Sequence, residues 1–157
     1  MGMIQRIQTI YLLISLIAWS ILFFIPTVGI VNGSGGEWWI FPKGVMETAT
    51  LKEVIKTVPM LVYFALVEIL ILISILTYGK RERQLRITLL NMILQILSYG
   101  LIALYLMQAR NSLNIQSGTL RVTVYAVIPL LAAICSFLAC RGIKKDIRLL
   151  KSLDRLR

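Results

Sequence analysis

Glu68 is the residue of this 157-residue sequence with the clearest chemical potential. It is the only ionisable acid or base within four long apolar stretches of the chain. A charge near the centre of a bilayer is costly, so such a carboxyl is neutral, paired or in contact with a polar cavity. Three roles follow: a protonated carboxyl that hydrogen-bonds a neighbouring helix, a carboxyl that titrates and couples the movement of a proton or cation, or a partner for a polar group on another subunit.

Depth along neighbouring apolar stretches suggests which side chains Glu68 could meet. Glu68 lies ten residues from the end of its stretch, about 15 Å along a helix, and Gln95 and Ser98 lie within a turn of the same depth on the next stretch. Asn91 shares their helical face. The sequence therefore predicts an intramembrane polar cluster of Glu68, Asn91, Gln95 and Ser98. Structural hydrogen bonding is favoured over transport, because a transport pathway normally draws polar residues from more than two helices.

The remaining residue types argue against catalysis. The sequence has no histidine, which removes the commonest general base, and its two cysteines lie five positions apart at Cys135 and Cys140. It contains no phosphate-binding glycine loop, no nucleophile elbow and no zinc-ligand spacing. We therefore expect no catalytic residue, no cofactor-binding residue, no metal site and no cofactor.

Composition indicates the elements that must position the polar residues. Apolar residues make up 58% of the sequence, and the mean hydropathy is +0.82. Four stretches of 19 to 22 residues are long enough to cross a bilayer as helices: residues 10–31, 58–78, 87–107 and 122–140. The predicted fold is one all-α membrane domain, an antiparallel bundle of four transmembrane helices.

Basic residues predict the orientation of this bundle. Residues 1–9, 79–86 and 141–157 hold 12 of the 17 Lys and Arg residues, whereas residues 32–57 and 108–121 hold five. Positively charged segments remain in the cytoplasm. We therefore expect both termini and the loop 79–86 to be cytoplasmic, and the loops 32–57 and 108–121 to be external.

The loops and the tail carry candidate contact residues. A capping-box pattern at Thr50–Glu53 predicts a short amphipathic helix on the outer surface that ends near Pro59. The aromatic residues Trp38, Trp39 and Phe41 suit an interfacial anchor or, less favourably, a patch that binds a partner or ligand.

A helix is also predicted for the basic tail, which either prolongs the fourth span or lies flat on the inner leaflet. Its bases and those of the loop 79–86 are expected to contact anionic headgroups or a protein partner, and no nucleic acid is expected. These residues are Lys80, Arg81, Arg83, Arg86, Lys144, Lys145, Arg148 and Lys151.

Three segments carry a family resemblance. They are Met3–Thr9, which opens the first helix; the segment from Arg81 to Ile87, with Asn91 beyond it; and Arg141–Arg157, with Lys145-Asp146 and the ending Ser152-Leu153-Asp154-Arg155-Leu156-Arg157. In order and spacing they resemble a family of small four-helix inner-membrane proteins from Bacteroidota, a domain of unknown function. The resemblance implies a bacterial inner-membrane location and brings no activity, cofactor or catalytic residue.

Two functional hypotheses follow from the sequence. The first is a non-enzymatic accessory, scaffold or assembly subunit that acts within a larger membrane complex or a homo-oligomer. The second is a small ion- or proton-coupled transporter centred on Glu68. Loss of flux in a Glu68→Gln variant with an intact complex would favour the second.

Overall fold

Four α-helices dominate the described chain. The computed structural model describes the backbone of residues 2–33, 35–50, 53–113, 115 and 118–154, and the side chains of these residues except 2–6, 151, 153 and 154. The helices are α1 (Gly2–Ile21), α2 (Val58–Leu76), α3 (Arg81–Ser112) and α4 (Ile128–Asp154), the last preceded by a 3₁₀ turn at Val124–Val127. The predicted C-terminal helix is continuous with α4, so the tail prolongs this helix.

Three helical segments are long and apolar enough to cross a membrane. They are Val58–Leu76, Arg81–Ser112 and Val124–Leu150. The apolar segment of α1 whose side chains are described, Ile7–Ile21, is shorter. The helix as a whole has 20 residues, which corresponds to a length of about 30 Å. The sequence predicted four spans, and length and composition identify three of them.

A five-stranded antiparallel sheet corrects the all-α prediction. Its strands are β1 (Val28–Val31), β2 (Glu37–Phe41), β3 (Gly44–Glu47), β4 (Glu53–Lys56) and β5 (Thr119–Val122). Their order in the sheet is β4-β3-β2-β1-β5. The first four strands are consecutive hairpins, and β5 pairs with β1 from about 90 residues further along the chain, with Val28 opposite Val122.

Two predicted helical segments are therefore wrong. The first predicted span ran to residue 31, but α1 ends at Ile21 and Val28–Val31 form β1. Pro26 lacks an N–H for the helical ladder and its ring clashes with the preceding turn, so a helix is disfavoured through residues 26–31. The predicted outer amphipathic helix is absent over Glu53–Lys56, because these residues pair with β3; residues 51 and 52 of the capping box lie outside the described residues.

The sheet collects both predicted external loops at one end of the helices. Strands β1 to β4 lie between α1 and α2 in the sequence, and β5 lies between α3 and α4. One face of the sheet continues the helical core, since Ile30, Ile40 and Val45 are fully buried and belong to the same cluster as Trp19 and the helix interior. An exposed ion pair between Arg121 and Glu37, 3.3 Å long, spans β1 from β5 to β2.

The helices pack as a closed ring of neighbours. Helix α1 lies against α2 and α4, and α3 lies against the same two helices. Buried positions alternate at spacings of four and three residues, for example Gln8, Leu12, Ser15 and Trp19 on α1. This spacing lets side chains of adjacent helices interdigitate. The outward faces carry large exposed apolar side chains instead.

Candidate functional site

The interior of the helical region is polar along much of α3. Five of its buried positions carry side-chain amides or hydroxyls, and all are at most 3% exposed: Gln84, Thr88, Asn91, Gln95 and Ser98. Their spacing of four, three, four and three residues places them on one face. A soluble helix buries apolar residues and exposes polar ones, whereas α3 does the opposite through this region.

A central cluster joins α1, α3 and α4. The Gln95 amide donates to the Ser15 hydroxyl through Nε2 at 3.0 Å and accepts from the Ser136 hydroxyl at Oε1 at 2.9 Å. The two serine oxygens are 3.3 Å apart, and Ser15 also lies 3.2 Å from the carbonyl of Ala132 as a donor. All three polar side chains are fully buried. The cluster therefore joins three helices by hydrogen bonds, and each buried polar group finds in another helix the partner that water cannot supply there.

A second polar contact lies closer to the basic end of the helices, which holds the turn between α2 and α3 and the last residues of α4. The hydroxyls of Ser74 on α2 and Thr88 on α3 are 2.6 Å apart, and Thr88 donates to the Gln84 carbonyl at 2.8 Å. Both side chains are fully buried. Together with the central cluster, this contact brings all four helices into direct polar interaction.

Glu68 does not join the α3 residues predicted as its partners. Its Oε1 accepts a 2.6 Å hydrogen bond from Ser20 on α1, and Ser20 also lies 2.9 Å from the carbonyl of Leu16. The side chain is half-buried, and its Oε2 is buried with no hydrogen-bond partner among the described residues. Gln95 bonds Ser15 and Ser136, and Ser98 donates to the Gln95 carbonyl at 2.6 Å. The predicted cluster is therefore two separate polar groups, one at the contact between α1 and α2 and one at the centre.

Asn91 is the most isolated polar side chain of the interior. It is fully buried, and neither its Nδ2 nor its Oδ1 has a hydrogen-bond partner among the described residues. Gln8, 5% exposed on α1, has an Nε2 atom in the same condition. A buried polar group without a partner costs free energy comparable to a lost hydrogen bond. We therefore expect Asn91 to oppose stability, unlike Gln95 one turn away.

An apolar layer closes the interior on the sheet side of the central cluster. The Trp19 ring stacks on Phe64 with centroids 5.0 Å apart, and its Nε1–H donates to the Phe64 carbonyl at 3.1 Å. Both rings are fully buried, and Leu22, Met60 and Ile102 lie beyond them in the same core. The polar interior thus extends toward the basic end and is covered toward the sheet.

Sequence reasoning missed the role of three serines. Ser15 and Ser20 on α1 and Ser136 on α4 were not among the predicted site residues, yet they bond Gln95 and Glu68. A usable signal was present, because Gln8 and Ser15 lie seven residues apart on one face of a mostly apolar helix. Depth alone could not assign them to Gln95 or Glu68.

The predicted contact residues of the loop and tail occupy two basic surfaces. Lys80, Arg81 and Arg83 line a pocket beside the end of α4. Lys144, Lys145 and Arg148 line another pocket on α4 itself. Arg86 is exposed, and the side chain of Lys151 lies outside the described residues.

The predicted interfacial aromatics lie in the sheet. Trp38, Trp39 and Phe41 are half-buried residues of β2. The Trp39 ring covers Gly29 of β1, where an added Cβ would be 2.6 Å from Cε3. The ring fits because Gly29 has no side chain, so one role of Trp39 is packing within the sheet.

Comparison with known proteins adds a family without an activity. The family described as domain of unknown function (DUF4293) matches residues 4–156. A comparison with curated proteins found no match. Across the described residues, no group of three or more His, Cys, Asp or Glu side chains is placed to hold a metal ion.

Proposed function

Because the chain belongs to the DUF4293 family of unknown function, we propose its role from its geometry. It is an integral protein of a bacterial inner membrane, with four spanning helices, both termini in the cytoplasm and the sheet on the outer side. There it acts without enzymatic activity as an accessory or assembly subunit of a membrane complex.

The outward faces of the helices support insertion into a bilayer. Large apolar side chains are more than half exposed on every helix, including Ile17, Ile69, Leu97, Leu104 and Leu131. So many exposed apolar side chains are unfavourable in water and suit contact with acyl chains. The approximate 30 Å length of α1 and its packing along α2 and α4 support a fourth span.

The two ends of the helices differ in charge and structure, which supports one orientation. The loop between α2 and α3 and the end of α4 carry the basic residues. The opposite end carries the sheet, whose strands come from the two segments with fewer basic residues. The basic end therefore suits the cytoplasm under the positive-inside rule.

A cysteine-labelling experiment tests this orientation. Ala49 is exposed in the turn after β3, and Ser152 is exposed near the end of α4. We expect a membrane-impermeant maleimide to label Ala49→Cys in intact spheroplasts and to label Ser152→Cys only after the membrane is opened. The unsubstituted protein measures the background from Cys135 and Cys140. If only Ser152→Cys is labelled in intact spheroplasts, the proposed orientation is wrong and the basic end is external.

One observation carries the assembly role: the central polar groups are bonded to each other across helices. Gln95, Ser15 and Ser136 satisfy one another, and Trp19 with Phe64 covers them toward the sheet. Polar contacts of this kind hold membrane helices together. Such an interior suits a rigid support, whose available surfaces are the lipid-facing helices, the sheet and the basic end.

Complex formation and flux distinguish the assembly role from transport. We expect the protein, extracted in mild detergent, to migrate on native gels in a complex well above the 17.8 kDa of one chain. We also expect the purified protein in liposomes to leave proton and cation gradients unchanged. Migration as a monomer, together with a flux that Glu68→Gln abolishes, would contradict the assembly role.

The transport alternative has one specific observation in its favour. Glu68 keeps a buried Oε2 without a hydrogen-bond partner among the described residues, at mid-length of α2 and next to Ser20 of α1. An intramembrane carboxyl with spare acceptor capacity can accept a proton or contact a cation. Glu68→Gln keeps the size and polarity of the side chain and removes its charge, so it is the matched variant for this test.

A further inference from the structure

A pocket of about 610 Å³ lies at the basic end of the helices. It opens between the turn that joins α2 to α3 and the last turns of α4. Lys80 of the turn and Arg81 and Arg83 of the first turn of α3 line it. Tyr78, Ile147 and Leu150 add aromatic and apolar surface. The pocket thus joins a basic wall to an apolar one at the point where α2 ends at Leu76.

We propose that this pocket binds the phosphate group of an anionic phospholipid from the inner leaflet. Arg and Lys side chains are the preferred protein partners of phosphate oxygens. The apolar side chains suit the glycerol and upper acyl region of the same lipid. The assignment rests on the proposed insertion of the protein with its basic end in the cytoplasm, which brings the pocket to headgroup level.

The local backbone adds to the attraction for an anion. Helix α3 begins at Arg81, and its N-cap residue, Lys80, makes no side-chain capping bond. The positive end of a 32-residue helix dipole therefore lies at the basic wall. Glu82 also lines the pocket and has interactions of its own. Three cations against one carboxylate leave the lining positively charged.

A second pocket supplies the matched comparison. It has a volume of about 420 Å³ and is lined by Arg141, Lys144, Lys145 and Arg148 with Gly142. Its lining holds more basic residues but no large apolar side chain. General attraction between charge and membrane predicts equal effects of removing three cations from either pocket, whereas a lipid site predicts an effect of the first pocket alone.

Two triple variants test the proposal in the full-length protein purified in mild detergent. We expect native mass spectrometry to detect retained phosphatidylglycerol on the unaltered protein and on K144Q/K145Q/R148Q, but not on K80Q/R81Q/R83Q. In titrations with short-chain phosphatidylglycerol, followed by thermal stability, the latter variant should bind about tenfold or more weakly, because each base near the headgroup contributes to the attraction. Equal losses in both variants would overturn the proposal.

Further arms separate the lipid from free phosphate. The charge-preserving variant I147Q/L150Q should weaken binding of phosphatidylglycerol, and phosphatidylcholine should not replace the anionic lipid. Inorganic phosphate at matched ionic strength should give little stabilisation. Strong binding of inorganic phosphate that I147Q/L150Q leaves unchanged would overturn the lipid assignment.

The outcome is separable from the assembly role. Circular dichroism and thermal midpoints of each variant without lipid report whether it is folded. A folded protein that retains the lipid but forms no complex would count against the assembly role alone. A complex that forms without lipid retention would count against the lipid site alone.

Discussion

Replacing Trp19 by alanine is expected to lower the free energy of unfolding by about 3–5 kcal/mol, the range for removing a large aromatic side chain from a packed core. The Trp19 side chain is fully buried, stacks on Phe64 and donates to its carbonyl oxygen. It is the largest fully buried side chain of the described residues. Reversible unfolding in mixed micelles of dodecyl maltoside and SDS, followed by circular dichroism, measures the loss.

Two further variants give this result its meaning. Trp19→Phe keeps an aromatic ring in the core and removes the N–H donor, so it should cost about 1 kcal/mol for the hydrogen bond, plus a smaller packing loss. Trp39→Ala removes a half-buried ring from the sheet and should affect the helical signal less than Trp19→Ala does. If Trp19→Ala unfolds like the unaltered protein, the contact between α1 and α2 does not stabilise the fold.

The three helices that are long and apolar enough to cross a membrane could be predicted from the sequence because the signal is local. Residues 58–76 form an apolar run that begins next to Pro59 and is long enough to satisfy its own backbone groups as a helix. The first residue of α3 could not be found in this way. Its first turn contains Arg81, Glu82 and Arg83, which hydropathy assigns to a loop although these residues form helices well.

The sheet was missed because its strands are short and because one of its pairings, between β1 and β5, joins distant segments of the chain. Strand β1 continues an apolar run, so hydropathy extends the first helix through Val28–Val31 despite Pro26. Val28 pairs with Val122, and two helices, α2 and α3, lie between these residues in the sequence. The Pro42-Lys43 turn between aromatic and apolar segments was a local hairpin signal, but a single hairpin has too little buried surface to be stable alone.

The polar site shows the same limit in three dimensions. Helical spacing correctly placed Asn91, Gln95 and Ser98 on one face of α3, and all three are fully buried. Depth matching placed Glu68 level with Gln95 and Ser98, but it could not give the direction of the side chain around the helix axis. Glu68 therefore meets Ser20 on α1. Direction depends on how four helices pack together, which no single apolar stretch specifies.

Asn91 and Gln95 offer a paired test of the buried polar face, because the same kind of substitution should have opposite effects one helical turn apart. Gln95→Leu removes two hydrogen bonds, to Ser15 and from Ser136. It should lower the free energy of unfolding by about 1–2 kcal/mol, the range for hydrogen bonds between helices and for buried groups that lose a partner.

Asn91→Leu should instead raise the free energy of unfolding by about 1–2 kcal/mol, because it removes two buried polar atoms without partners among the described residues and adds apolar contact. The same micelle titration measures both variants, and Asn91→Ala controls for volume, since it removes the amide but adds no contact.

A marked loss of stability in Asn91→Leu, larger than in Asn91→Ala, would mean that the core lacks room for leucine. Losses of similar size in both would mean that the Asn91 amide is itself bonded in the folded protein. A gain in Asn91→Leu together with a loss in Gln95→Leu would identify Gln95 as the structural member of the pair and Asn91 as a residue kept at a cost in stability.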